Sequence, residues 1–169
     1  SKYHDPASKP EDPRWDCARM GYRRRFARLP KAALPTRTCY TSDSLDFGGE
    51  QIEYGYLPQA HTDGDLYVRF RKANLVVCGD VLSVGRYPII DYTTGGWIGG
   101  LADAAKTLVG LGDDRTRYIP GLGPVQNRPA VVAEQQMLDT MRRRLSKLLA
   151  EGMSSQDMIR SEERRVGER

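Results

Sequence analysis

The hydrophobic pattern of this 169-residue chain changes its period once, and that change constrains the fold more than any other feature. Between residues 36 and 78 apolar and polar residues mostly alternate, as in strands; from residue 101 apolar residues recur every three to four positions, as in helices. The connections between the alternating segments are short, which favours a meander of antiparallel strands. The sequence therefore predicts an α/β (α+β) fold in which helices cover one face of a mostly antiparallel sheet.

Five segments before residue 80 are predicted strands: 36–40, 44–47, 51–57, 65–71 and 75–78. Gly48-Gly49 predicts a hairpin turn between the second and third of them. Segment 65–71 places Leu66, Val68 and Phe70 on one face and Tyr67 with two arginines on the other. Segment 75–78 is continuously apolar, which is typical of a strand buried on both faces.

The second half of the chain predicts helices around one further strand, at 115–119. A Gly- and Pro-rich loop leads into a first helix, which Gly110 or Gly112 can end. The apolar stripe of this helix consists of Leu101, Ala104, Ala105 and Leu108. A second helix is predicted from about Pro129 to Ala150, with a stripe of Leu138, Met141, Leu145, Leu148 and Leu149. Gly152 stops it, and Ser154 or Ser155 can cap a short third helix.

Three regions follow from this pattern: an irregular lead-in at 1–35, a sheet-and-helix region at 36–159, and a tail at 160–169. The helical pattern ends after Ile159 in a charged string. That string is either a non-native tail, consistent with a truncated reading frame, or a charged C-terminus that frays. The first residues are polar and lack the apolar region of a signal peptide, so a signal would have to lie upstream of Ser1.

Charge and composition argue against two classes of partner. The net charge of +4 divides into +5 for residues 1–31, −3 for 32–136 and +2 for 137–169, so the basic character belongs to the ends. Arg23-Arg24-Arg25 and Arg142-Arg143-Arg144 are interpreted as solvated surface rather than a nucleic-acid site, because no aromatic platform accompanies them. No apolar run approaches the roughly 20 residues that span a bilayer. Neither a nucleic acid nor a membrane is therefore expected as a partner.

The three cysteines do not indicate a metal knuckle or a disulfide framework. Cys17, Cys39 and Cys78 are odd in number, widely spaced and form no CxxC pair. Cys78 lies within the apolar run 75–78. It is therefore interpreted as a small buried hydrophobe.

One pair of short motifs could support chemistry. His61-Thr62-Asp63-Gly64-Asp65 begins one predicted strand, and Cys78-Gly79-Asp80 ends the next. Antiparallel neighbours place these motifs at the same sheet edge. Imidazole and carboxylate are zinc ligands in hydrolytic sites, and a carboxylate at a strand end can bridge two metals. By composition alone, an ordinary polar turn remains the commoner explanation of such a segment.

The order of the motifs resembles a known superfamily. After the Gly-Asp strand end come Gly85-Arg86-Tyr87-Pro88-Ile89-Ile90-Asp91, Gly95-Gly96, an amphipathic helix and Ile119-Pro120-Gly121-Leu122-Gly123-Pro124. Over about residues 28–159 this series resembles the C-terminal half of the metallo-β-lactamase fold, most closely a bacterial branch. The resemblance implies half of an αββα sandwich. The compartment, cytoplasm or periplasm, is left open.

What the resemblance implies about the site centres on His61 and Asp80. The His of a His-Thr-x-Gly turn binds one metal in the family, and the Asp of the Gly-Asp strand end bridges two. Asp63 and Asp65 are expected to shape the loop or support a ligand rather than bind metal directly. The sequence departs from the family's metal-site pattern in two ways. The motif His-x-His-x-Asp-His is absent, and Leu122 occupies the position of the family's last histidine ligand.

The implied function is that of a zinc-dependent hydrolase, truncated or degenerate and impaired as this chain, acting on a small-molecule substrate that the sequence does not specify. Weak zinc binding is expected, since two protein ligands do not close a tetrahedral site. The alternative is a non-catalytic binding or scaffold module of the same fold. A third possibility is that another chain supplies the missing half. An uncovered apolar sheet face is expected to favour self-association.

Overall fold

A computed structural model describes Pro30, Ala32 and residues 39–167, with side chains in the last helix only as far as Ser161. The predicted lead-in at 1–35 therefore lies almost entirely outside the described residues, as do residues 36–38 of the first predicted strand. Cys39 and Tyr40, the remainder of that segment, are not in a strand.

Six strands form one mixed sheet in sequence order, β1-β2-β3-β4-β5-β6. The strands are β1 Ser42–Phe47, β2 Glu50–Leu57, β3 Asp65–Phe70, β4 Leu75–Gly79, β5 Arg117–Pro120 and β6 Gln126–Asn127. All neighbouring pairs are antiparallel except β4 and β5, which are parallel. Gly48 and Gly49, with φ of 59° and 79°, form the predicted β1–β2 turn. Two successive residues with positive φ are required in this turn, and glycine adopts that conformation with less strain than other residues.

Within residues 39–167, three α-helices accompany the sheet: α1 Ile98–Leu111, α2 Arg128–Ala150 and α3 Ser155–Gly167. The side chain of Asn127 caps α2 by accepting from the N–H of Ala130, and Ser154 Oγ accepts from Asp157 N–H at the start of α3. Helical backbone continues to Gly167, so the expected loss of helix after Ile159 is wrong. Within the described part of the chain, no helix is long and apolar enough to cross a membrane.

The core lies between α1, α2 and one face of the sheet. Its fully buried sheet residues are Leu57, Val76, Cys78 and Tyr118, and the predicted stripe of α1 is buried against them. Tyr67 joins this buried face from β3, although the sequence groups it with two arginines. Its ring lies over Gly55, where an added Cβ would stand 2.5 Å from a ring carbon. Gly55 therefore makes room for a large side chain on the neighbouring strand.

The opposite sheet face is apolar but only partly buried. Register places Tyr54, Val68, Val77 and Ile119 in one row across four strands, and none of them is fully buried. The expectation that segment 75–78 is buried on both faces is therefore wrong. Val76 and Cys78 are inaccessible, whereas Leu75 and Val77 are half-buried, since α1 and α2 cover only one side of β4.

Helix α2 packs with the predicted stripe only in part, because Leu138 is buried, Met141, Leu145 and Leu148 are half-buried, and the stripe extends to earlier residues. Its fully buried residues are Val131, Glu134 and Leu138, whereas Leu149 is exposed. The first half of α2 therefore carries most of the packing, and the second half extends towards solvent. Arg142 donates to Asp103 of α1 at 2.8 Å. One residue of the basic run thus forms a bond between helices.

Candidate functional site

His61 and Asp80 meet at one edge of the sheet. The loop between β2 and β3 carries His61, and Asp80 follows the last residue of β4. Because β3 and β4 are antiparallel, the start of one lies beside the end of the other. His61 Nε2 and Asp80 Oδ2 are 3.7 Å apart. That separation is too long for a direct hydrogen bond. It is near the roughly 3.3 Å expected between two ligands about 2.0–2.1 Å from one tetrahedral zinc ion.

A backbone carbonyl fixes the orientation of the His61 ring. His61 Nδ1 is 2.7 Å from the carbonyl oxygen of Ile89. A carbonyl can only accept, so Nδ1 carries the proton and the lone pair of a neutral ring lies on Nε2, the atom that faces Asp80. Histidines that bind metals commonly have their second nitrogen held in this way. Sequence analysis missed this contact, because a backbone acceptor 28 residues away leaves no signal in residue type.

Two loops bonded through their backbones hold this geometry. Asp91 N–H donates to the carbonyl of His61 at 2.9 Å, and Asp63 N–H donates to the carbonyl of Thr94 at 3.0 Å. Gly96 allows the close approach, since an added Cβ would stand 2.1 Å from the His61 carbonyl oxygen. The Gly95-Gly96 pair therefore leaves the space that lets this loop pack against the loop of His61.

The other acidic residues of these loops have structural partners. Asp65 accepts from the N–H of Thr62 at 2.6 Å, and burial raises its pKa, although that hydrogen bond opposes the shift. Asp63 accepts from the hydroxyl of Tyr56. This hydrogen bond is the largest cause that raises the pKa of Tyr56 to about 12. Both carboxylates accept hydrogen bonds from this region, in agreement with the expectation that they shape the loop.

Asp91 holds the start of a short 3-10 turn, Tyr92–Thr94. Its carboxylate accepts from the N–H of Thr93 at 2.9 Å and from the hydroxyl of the same residue. Burial alone would raise the pKa of Asp91, but hydrogen bonds from Thr93 and Thr94 outweigh it and lower the pKa. Asp91 therefore stays ionised and keeps the loop against His61.

The segment after β5 approaches Asp80 from the other side. Pro120 pairs with Gly79, and Gly121 N–H donates to the Gly79 carbonyl at 2.8 Å. An added Cβ on Gly121 would stand 2.3 Å from Asp80 Oδ1, so a larger residue here would require the exposed Asp80 side chain to move. Leu122, the next residue, is 64% exposed. Its position is thus one residue beyond the contact with Asp80.

The described residues contain no group of three or more His, Cys, Asp or Glu side chains arranged to hold a metal ion. Cys78 lies next to Gly79 but is fully buried, and burial raises the pKa of its thiol to about 12. A thiol that resists ionisation in this way is a poor ligand. Within the described chain, Cys39 and Cys78 are both free; Cys17 lies outside it.

Comparison with solved structures identifies the architecture. The chain matches a metallo-β-lactamase from Pontibacter korlensis with a TM-score of 0.53 and 17% identity, over 62% of this chain and 49% of that one. The chain has the metallo-β-lactamase fold. TMB-1 matches with a TM-score of 0.51 and 13% identity, over 73% of this chain and 54% of that one. The metallo-β-lactamase DIM-1 matches with a TM-score of 0.50 and 19% identity, over 60% of this chain and 46% of that one.

These matches cover only part of each solved structure, so they compare the fold and not the whole protein. The chain spans about half the length of these three structures. No protein-family model matches it, and no curated protein does so either. The likeness is therefore one of fold, and it agrees with the sandwich half that the motif order implies.

Proposed function

We propose that this chain is part of a metal-dependent hydrolase of the metallo-β-lactamase fold and that His61 and Asp80 are its contribution to a zinc site. The observation that carries the proposal is the 3.7 Å separation of His61 Nε2 and Asp80 Oδ2, combined with the Ile89 carbonyl that directs Nε2 towards the carboxylate. A neutral imidazole and an ionised carboxylate are the donors that zinc takes from proteins.

The donor set fits zinc but does not complete its coordination. Two ligands fall short of the three or four that a tetrahedral site requires, and Leu122 has no lone pair to offer. The chain alone is therefore proposed to bind zinc weakly and to be impaired as a catalyst. Additional ligands would have to come from elsewhere, including another polypeptide that completes the site.

The location of His61 and Asp80 determines how each would meet a zinc ion. Asp80, whose side chain is 62% exposed, is open to solvent and to an incoming ion, whereas His61 is more enclosed at 19%. A zinc ion bound there would supply a water of lowered pKa, able to attack a carbonyl, phosphoryl or sulfuryl centre. The bonded loops keep the imidazole in one orientation, which limits the entropy lost when a metal binds. The substrate is proposed only as a small molecule.

Zinc titration calorimetry tests the assignment. The parent chain is expected to bind zinc weakly, and His61→Ala is expected to abolish binding. His4→Ala, a change at the other histidine of the chain, is the matched control and should bind like the parent. Because a protonated imidazole cannot bind zinc, affinity should fall as the pH is lowered. Equal zinc binding by His61→Ala and the parent would place the site elsewhere and refute the proposal.

A second variant tests the position of Leu122. Leu122→His adds an imidazole one residue beyond the contact between Gly121 and Asp80. Zinc binding is expected to strengthen, with little gain in hydrolysis, because a second metal and its ligands are still lacking. Unchanged affinity would show that residue 122 lies out of reach of the ion.

The second candidate function is a non-catalytic binding or scaffold module, favoured by the same incomplete donor set. Metal content separates the two. Saturable zinc binding on titration supports the hydrolase assignment, and a chain that takes up no zinc on titration supports the module.

A further inference from the structure

Helix α2 and the loop after β4 line an open cavity, and His61 is not among its lining residues. Its volume is 590 Å³, within the range of small-molecule pockets. Apolar side chains form much of its wall, and Glu134 of α2 also lines it. The apolar residues include Leu82, Val84, Ala130 and Met137.

Glu134 is an unusual residue for such a wall. The residue is only 8% exposed, and both carboxylate oxygens accept from a single donor, the N–H of Ser83, at 2.9 and 3.2 Å. An ionised carboxylate has about four acceptor positions, so most of its capacity is unused. No lysine or arginine forms an ion pair with it in the described part of the chain. A buried carboxylate without a counter-ion is costly unless it is protonated or meets a cation.

The groups that face Glu134 do not supply that cation. Cys78 of β4 is a buried thiol close enough to be affected by the charge of Glu134. In the loop, Arg86 and Tyr87 line the cavity and both are exposed, but Arg86 forms no ion pair with Glu134. Burial raises the pKa of Glu134 to about 7, and the Ser83 hydrogen bond opposes the shift only in part.

We propose that this cavity binds a small organic cation, a primary ammonium group on an apolar body, with Glu134 as its counter-ion. The apolar walls would take the body, and the free lone pairs of the carboxylate would accept from the ammonium group. Charge-assisted hydrogen bonds of this kind are stronger than neutral ones. The proposal is independent of the zinc site, because none of its groups is a candidate metal ligand.

Benzylamine is the probe, with benzyl alcohol as its uncharged counterpart of similar size. Calorimetric titration at pH 8 should show saturable binding of the amine at millimolar concentration and at least about tenfold weaker binding of the alcohol. Only the ionised carboxylate is competent, so affinity for the amine should fall about tenfold between pH 8 and pH 6. At pH 7 about half a proton should be released per amine bound, measured as a buffer-dependent enthalpy.

Three variants complete the test. Glu134→Gln keeps the shape and should lose binding about tenfold or more, whereas Glu151→Gln, an exposed glutamate after the same helix, should not. Ala133→Trp should block the cavity while Glu134 remains. Equal binding of amine and alcohol, unchanged binding by Glu134→Gln, or no saturable binding of the amine would overturn the proposal.

Discussion

The ionisation of Glu134 should make the folded chain less stable as the pH rises. Its pKa is raised from an ordinary 4.5 to about 7 in the folded state, so between these values the native protein binds more protons than the unfolded chain. Stability is therefore expected to fall as pH rises from about 4.5 to about 7 and to level off above it. Each unit of pKa shift corresponds to about 1.4 kcal/mol, which gives a total loss of about 3 kcal/mol.

Glu134→Gln removes the titrating group and keeps an acceptor for the N–H of Ser83. Urea unfolding at pH 5 and pH 8 is the assay. The free energy of unfolding of the parent should drop relative to that of the variant, by up to about 3 kcal/mol, and Glu151→Gln should follow the parent. If the difference in unfolding free energy between parent and Glu134→Gln is the same at both pH values, the argument from burial is refuted.

Two further predictions concern glycine and the open sheet face. Gly96→Ala should destabilise the fold by more than about 1 kcal/mol and weaken zinc binding, since its Cβ would stand 2.1 Å from the His61 carbonyl oxygen. Gly110→Ala in α1, with open space around the added carbon, should instead stabilise by about 0.5–1 kcal/mol in urea unfolding; equal effects would contradict the steric account. The partly buried apolar face should promote self-association, measured by sedimentation velocity at tens of micromolar. Leu66→Lys on that face, where Leu66 is 44% exposed, should reduce it, and a parent that stays monomeric and binds no hydrophobic dye would contradict this expectation.

The sequence predicted those elements whose pattern is purely local. Strand β2 and helix α1 follow from alternation and from a stripe of small and branched residues, and both form as expected. The pairing of His61 with Asp80 was also predictable, because short connections imply antiparallel neighbours with adjacent ends. Whether the pair binds metal is a separate matter that zinc titration decides.

Burial was predicted less well, because it depends on which sheet face the helices cover. Tyr67 was grouped with arginines, yet it packs into the core over a glycine of β2. The buried carboxylate of Glu134 left no mark in sequence, since an acidic residue in a helix normally indicates a solvated face. The contact of His61 with Ile89 was equally hidden, because any residue provides a carbonyl.

The bonded loops around His61 also have a consequence for biosynthesis. The imidazole is oriented by a carbonyl at residue 89 and its loop is closed by contacts with residues 91–96, while Asp80 meets Gly121. During translation the nascent chain therefore carries both candidate ligands before it carries the residues that position them. Closing these loops costs chain entropy that only later contacts offset. The complete site, with Gly121 against Asp80, can therefore form only after residue 121 has been synthesised.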